Sequence, residues 1–171
     1  MTLAELFTPK AFDALLLGLY GPELMPVQRP VLVSQWSKYY FGLVWRDALV
    51  GQAPLQASRV KVTLDARGLP IALSTSGAVG DVAAVLALHL PGVVERLAVL
   101  GGVPAAVLWG NAGDSLEQLA GDRPEVQRLF ELPGTPLQGA VRYTPDGRRV
   151  RRTCCLSYKV EWVGHCAHCP L

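Results

Sequence analysis

Residues 1–153 contain no cysteine, which excludes disulfides and thiolate metal sites from everything but the tail. No uninterrupted apolar run approaches the roughly 18 residues that span a bilayer, so hydropathy gives no transmembrane helix, although peripheral membrane contact stays open. Charge of either sign is scarce. Sixteen Lys and Arg against fourteen Asp and Glu leave a net charge of +2, too small a field to argue for nucleic acid as a partner. Met1 to Thr8 carries an acid, Glu5, and no basic segment ahead of an apolar one, so nothing there reads as a secretory signal and the expectation is a cytoplasmic protein. There is no Ser/His/Asp arrangement, no phosphate loop and no internal repeat, and Gly101-Gly102 with Gly110 do not compose a dinucleotide fingerprint. With half its residues apolar and 18% charged, the chain is not disordered, and its length suffices for one sizeable core.

What is present reads as α+β, a helical body with two β-hairpins and a C-terminal four-cysteine segment. Thr8-Pro9 is a cap and first-turn pair, and Phe12, Leu15, Leu16 and Leu19 recur at helical spacing until Gly21-Pro22 stops them. Prolines 22, 26 and 30 make residues 22–30 a stiff connector. The aromatic pattern over 33–50 predicts a second helix, with Trp36 and Tyr39 as its only candidates for lining a ligand groove. Val60, Val62 and Leu64 alternate with polar residues before the Asp65-Ala66-Arg67-Gly68 turn, giving a hairpin with 69–73. Two apolar helices are expected over 79–90 and 92–100, with His89 as a core residue. Another begins at Pro104, with a new turn starting at Asp114-Ser115, and a short one covers 124–130. Asn111 is expected to satisfy a buried backbone group. A second hairpin turns at Thr144-Pro145-Asp146-Gly147. The expected organisation is one compact domain, with body 1–136 and basic hairpin plus tail 137–171.

All four cysteines follow that hairpin as Cys154, Cys155, Cys166 and Cys169, a CCx10CxxC spacing. Four thiolates from a short segment suit either zinc or an iron-sulfur cluster. Cys166-Ala167-His168-Cys169 is an ordinary chelate for one metal atom, stiffened behind by Pro170. Vicinal Cys154 and Cys155 would point to opposite faces of a regular strand, so both serve one site only where the backbone kinks. Zinc knuckles usually avoid that arrangement. Disulfides fit the expected compartment poorly.

The string Arg151-Arg152-Thr153-Cys154-Cys155-Leu156, followed by Gly164-His165-Cys166-Ala167-His168-Cys169-Pro170-Leu171, resembles the C-terminal signature of the ferric siderophore reductases, the FhuF-like family. Ser34-Gln35-Trp36-Ser37-Lys38-Tyr39-Tyr40 and Leu108-Trp109-Gly110-Asn111 look like two further motifs of that family. The resemblance implies that Cys154, Cys155, Cys166 and Cys169 ligate a 2Fe-2S cluster that passes one electron to siderophore-held Fe(III), releasing Fe(II) in the cytoplasm. No general acid or base is needed, because hard oxygen donors hold Fe(II) far less tightly. Typical members are longer, so part of their substrate-holding surface is expected to be absent here. The shorter length also leaves room for a plain electron carrier, and a structural zinc module is the other alternative.

Arg142, Arg148, Arg149, Arg151, Arg152 and Lys159 concentrate positive charge around the second hairpin. One reading is a solvated strand face. The other is that Arg142, Arg149, Arg151, Arg152 and Lys159 contact a ferric chelate or an acidic donor such as a ferredoxin, a flavodoxin or a reductase. Cations there would also stabilise the reduced form of an anionic cluster. His165 and His168 are candidates for tuning its potential.

Overall fold

Residues 29–48 alternate apolar and aromatic side chains with so few charges that little of the helix can face water. In the computed structural model, which describes residues 1–171, they form the central helix α3 (Arg29–Ala48), with Trp36, Tyr40, Phe41, Val44 and Trp45 fully buried. It starts four residues before the expected position. Pro30 occupies the first turn, where a missing N–H goes unused, so the last proline of the connector begins the helix rather than preceding it. Trp36 stacks on Tyr40 with ring centroids 5.7 Å apart and belongs to the core. Tyr39 is exposed.

Ahead of α3 lie α1 (Leu3–Leu6) and α2 (Pro9–Tyr20). The first was not expected from the sequence, yet it carries a capping box: Thr2 Oγ1 accepts from the Glu5 N–H, and Glu5 Oε2 accepts from the Thr2 N–H at 2.8 Å. The second runs between Thr8 and Gly21 as the spacing predicts. After α3, β1 (Ala53–Pro54) pairs antiparallel with β4 (Val79–Gly80), two residues a side and too short to leave an alternation in the sequence. Between them the hairpin β2 (Val60–Leu64) and β3 (Pro70–Thr75) forms as expected.

Helices α4 (Val82–Leu88) and α5 (Leu90–Gly101) follow, and Pro91 sits in the first turn of α5 rather than in a gap between the two. No single helix is long and apolar enough to cross a membrane. Helix α6 (Ala105–Ala120) passes through Gly113-Asp114-Ser115 without restarting. A Cβ on Gly113 would lie 2.4 Å from the Ala140 Cβ, so this glycine provides a close approach, not a break. Helix α7 (Pro124–Glu131) and the hairpin β5 (Val141–Tyr143) with β6 (Arg149–Arg151) complete the body. One hydrophobic cluster runs from Leu3 through α3, α5 and α6 to Leu137 and Ala140, so the loop entering the last hairpin is anchored in the same core as the helices.

Candidate metal centre

The cysteines begin three residues after β6, outside any ladder, so strand alternation does not constrain them. Leu156 then adopts a left-handed conformation, φ +67°, the one non-glycine residue to do so. That conformation costs a side-chain-bearing residue about 1 kcal/mol or more, and it is the kink that vicinal cysteines require. It turns the Leu156 N–H back onto Cys154 Sγ at 3.3 Å. A short 3-10 turn, Ser157–Lys159, and the Val160–Gly164 turn bring the chain round to Cys166. In the CxxC loop the Cys169 N–H donates to Cys166 O at 3.0 Å, and the Arg151 N–H of β6 donates to His168 O at 3.1 Å, which hangs the loop on the hairpin.

The four thiols are free and come as two pairs, each taking one cysteine from either end of the segment. Cys154 Sγ lies 4.0 Å from Cys169 Sγ, and Cys155 faces Cys166. No three of these side chains converge as ligands for a single ion. Two thiol pairs on one short loop fit a two-metal centre with one pair per metal. In each pair one thiol is held up and its neighbour down. Burial and then the adjacent sulfur raise Cys154 and Cys166. For Cys155, burial works upward but is outweighed by hydrogen bonding to Ser157 and by the Lys38 ammonium, leaving it at about 6. For Cys169, burial is outweighed by His165, the Leu171 N–H and Cys154. A thiophilic metal would bind these sulfurs as thiolates and displace their protons.

The body grips the vicinal cysteines from below. Ser34 Oγ and Gln35 Nε2 on α3 both donate to Cys155 O, at 2.8 and 2.9 Å. Asn111 on α6 is fully buried, and its Nδ2 donates to Ser34 O at 2.8 Å and reaches Ser34 Oγ and Ser37 Oγ at 3.0 Å. Its Oδ1 accepts from Arg151, so the amide joins α3, α6 and β6 under the site. Gly110, one residue earlier, meets Thr153 directly: a Cβ there would lie 1.8 Å from Thr153 Oγ1.

The basic residues divide into two groups. Arg149 and Arg151, proposed from sequence as substrate or donor contacts, are held against α6. Arg149 pairs with Asp114 and Glu117 at 2.7 Å each, and Arg151 lies 3.6 Å from Asp114. Tyr143 also donates to Glu117. Arg142, Arg152 and Lys159 are exposed, Arg152 with its guanidinium on the carbonyls of Pro136 and Gln138. His165 stacks on Tyr158 at 5.3 Å and places Nδ1 3.4 Å from Cys169 Sγ. His168, with Lys38, Ser115, Gln118, Arg151 and Cys166, lines an open cavity of about 400 Å³ between α3, α6 and the CxxC loop. Several participants were missed from sequence as individuals, among them Ser34, Gln35, Lys38, Thr153 and Ser157. The Ser34–Tyr40 motif and the positions flanking the vicinal cysteines were the signals that pointed toward them.

Residues 151–171 match the family model of the FhuF 2Fe-2S C-terminal domain. The match covers the cysteine segment and points to a 2Fe-2S cluster as its cofactor. No curated protein matches the chain.

Proposed function

We propose that this protein is a ferric siderophore reductase, carrying out one-electron reduction of chelated Fe(III) and releasing Fe(II) in the cytoplasm. The observation that carries the reading is the pair of thiol pairs on a kinked vicinal-cysteine loop, in the segment that matches a 2Fe-2S family model. A bound 2Fe-2S cluster supplies an accessible one-electron centre. The chain's own residues do the rest. Cys154, Cys155, Cys166 and Cys169 would hold the metal. Ser34, Gln35 and Asn111 fix the backbone of the vicinal pair. The 400 Å³ cavity supports a substrate, as distinct from a carrier that docks only proteins, because it places Cys166 among the lining residues of an open concavity, most of them polar residues, large enough for part of a chelate. Ser115, Gln118 and Lys38 offer donors to chelate oxygens there. Arg142, Arg152 and Lys159 are exposed, as are Trp162 and Val163, and such exposed cations suit an acidic donor such as a ferredoxin or flavodoxin.

The test is an absorption and EPR spectrum of protein purified without oxygen, before and after dithionite, with iron, sulfide and zinc counted on the same sample. About two irons and two sulfides per chain, with a signal only on reduction, is the expected result. Mixing the reduced protein with ferric hydroxamates or ferric citrate should then give saturable oxidation of the protein and Fe(II) trapped by a ferrous chelator. A colourless protein with about one zinc would end the redox reading. A coloured protein whose oxidation by every ferric chelate is unsaturable would make it an electron carrier.

A further inference from the structure

Lys38 is half-buried on α3, and no carboxylate lies within ion-pair distance of it. Asp114, which lines the same cavity as Lys38, is taken by Arg149 and Arg151. Lys38 Nζ donates instead to Gln35 Oε1 at 3.0 Å, and the other end of that amide donates to Cys155 O at 2.9 Å. The ammonium is thereby tied through one amide to the backbone of Cys155, and Lys38 lines the cavity together with Cys166. A cation drawn partly out of water without a carboxylate is costly unless other negative charge stands close. Here that charge belongs to the thiolates and to whatever anionic centre they hold.

We propose that Lys38 is the counter-charge of the cluster, held against Cys155 by Gln35, and that it sets the reduction potential upward. The inference rests on the 2Fe-2S reading. Four thiolates around two ferric ions and two sulfides leave a net negative charge that reduction increases by one, so a fixed cation favours the reduced form. The other buried cations do this less well. Arg151 stands beside Cys166, but it shares its charge with Asp114 and Asn111, and Arg149 is matched by two carboxylates. Lys38 is therefore a positioning and tuning residue, and no proton transfer is asked of it.

The experiment is an anaerobic, EPR-monitored redox titration of cluster-loaded wild type, Lys38→Met, Lys38→Arg and Gln35→Leu, with iron and sulfide counted for each. At the solution potential where wild type is half reduced, Lys38→Met should show a reduced-to-oxidised ratio at least tenfold lower, equivalent to 59 mV for a one-electron couple. Lys38→Arg should stay within about threefold of wild type if charge is the cause. Gln35→Leu keeps the charge but frees it, and should shift in the same direction by less. The potential is read on the loaded fraction, so reduced loading in one variant does not obscure it. Lys38→Met titrating with wild type would overturn the proposal, as would Lys38→Arg falling as far as Lys38→Met. A wild-type protein without iron and sulfide would instead remove the cluster reading itself, a separate and recognisable failure.

Discussion

Gly110→Ala isolates the contact that seats the cysteine loop on α6. A methyl group at Gly110 would stand 1.8 Å from Thr153 Oγ1 and 3.1 Å from Thr153 Cβ, against the roughly 3.3 Å at which carbon and oxygen ordinarily touch. The shortfall at the oxygen is about 1.5 Å. Rotating Thr153 about χ1 gives limited relief, because its Cβ is already close, so the backbone bearing Cys154 must retreat. Overpacking of this kind costs about 3 kcal/mol at the upper end of its usual range. Replacing glycine by alanine inside a helix returns about 1 kcal/mol, so the net expectation is destabilisation of about 2 kcal/mol. For a chain of this size that is roughly 4–8 °C in Tm, accompanied by loss of iron from the purified protein. Thr153 Oγ1 is buried and has no hydrogen-bond partner, so Thr153→Ala sacrifices no hydrogen bond while removing the clashing atom. The double variant should recover at least about 1 kcal/mol of the loss as coupling energy in a double-mutant cycle. Thermal denaturation and metal analysis of the four proteins settle it. A Gly110→Ala protein with raised Tm and wild-type iron content would refute the reasoning, because helix propensity alone predicts that sign.

Acid stability should report His89, which is buried with Nε2 2.9 Å from the Tyr40 hydroxyl and Nδ1 without a partner. Burial lowers it from 6.5 to about 4. The unfolded chain therefore takes up this proton first, and stability should fall as pH drops from about 6.5 to 4, by about 3 kcal/mol in total. Urea titrations across that window should show a shallower slope for His89→Gln. Arg149→Met leaves Asp114 and Glu117 facing each other with only Arg151 and Tyr143 for company, and breaking a buried pair from one side costs about 3 kcal/mol. Calorimetry should show that loss, whereas Arg148→Met, on an exposed side chain at the turn, should leave Tm within about 1 °C.

Much of the body was legible because its signals are local. Thr8-Pro9 and Gly21 bound α2, and the turns at 65–68 and 144–147 place both hairpins. The errors at α3 and α5 share one cause, a proline read as a break when it occupies a first turn. The cysteines stood out in the sequence by their spacing, but their cross-pairing did not, since it depends on a left-handed Leu156 that a non-glycine residue does not advertise. The arginines looked like a solvated or ligand-facing stripe because their acids lie 32 or more positions earlier on another element. Asp114 and Glu117, three apart on one face of α6, were the only hint. Lys38 and Thr153 were hidden for the same reason: each matters through a contact made across more than forty residues.

With the thiols cross-paired, a bound metal would act as a clasp. Each thiol pair joins the vicinal cysteines, which the helices hold, to the CxxC loop, which hangs from the hairpin. Each iron would therefore close a loop of chain as a disulfide does, contributing the loop-closure entropy that the segment 156–165, with few buried side chains of its own, lacks.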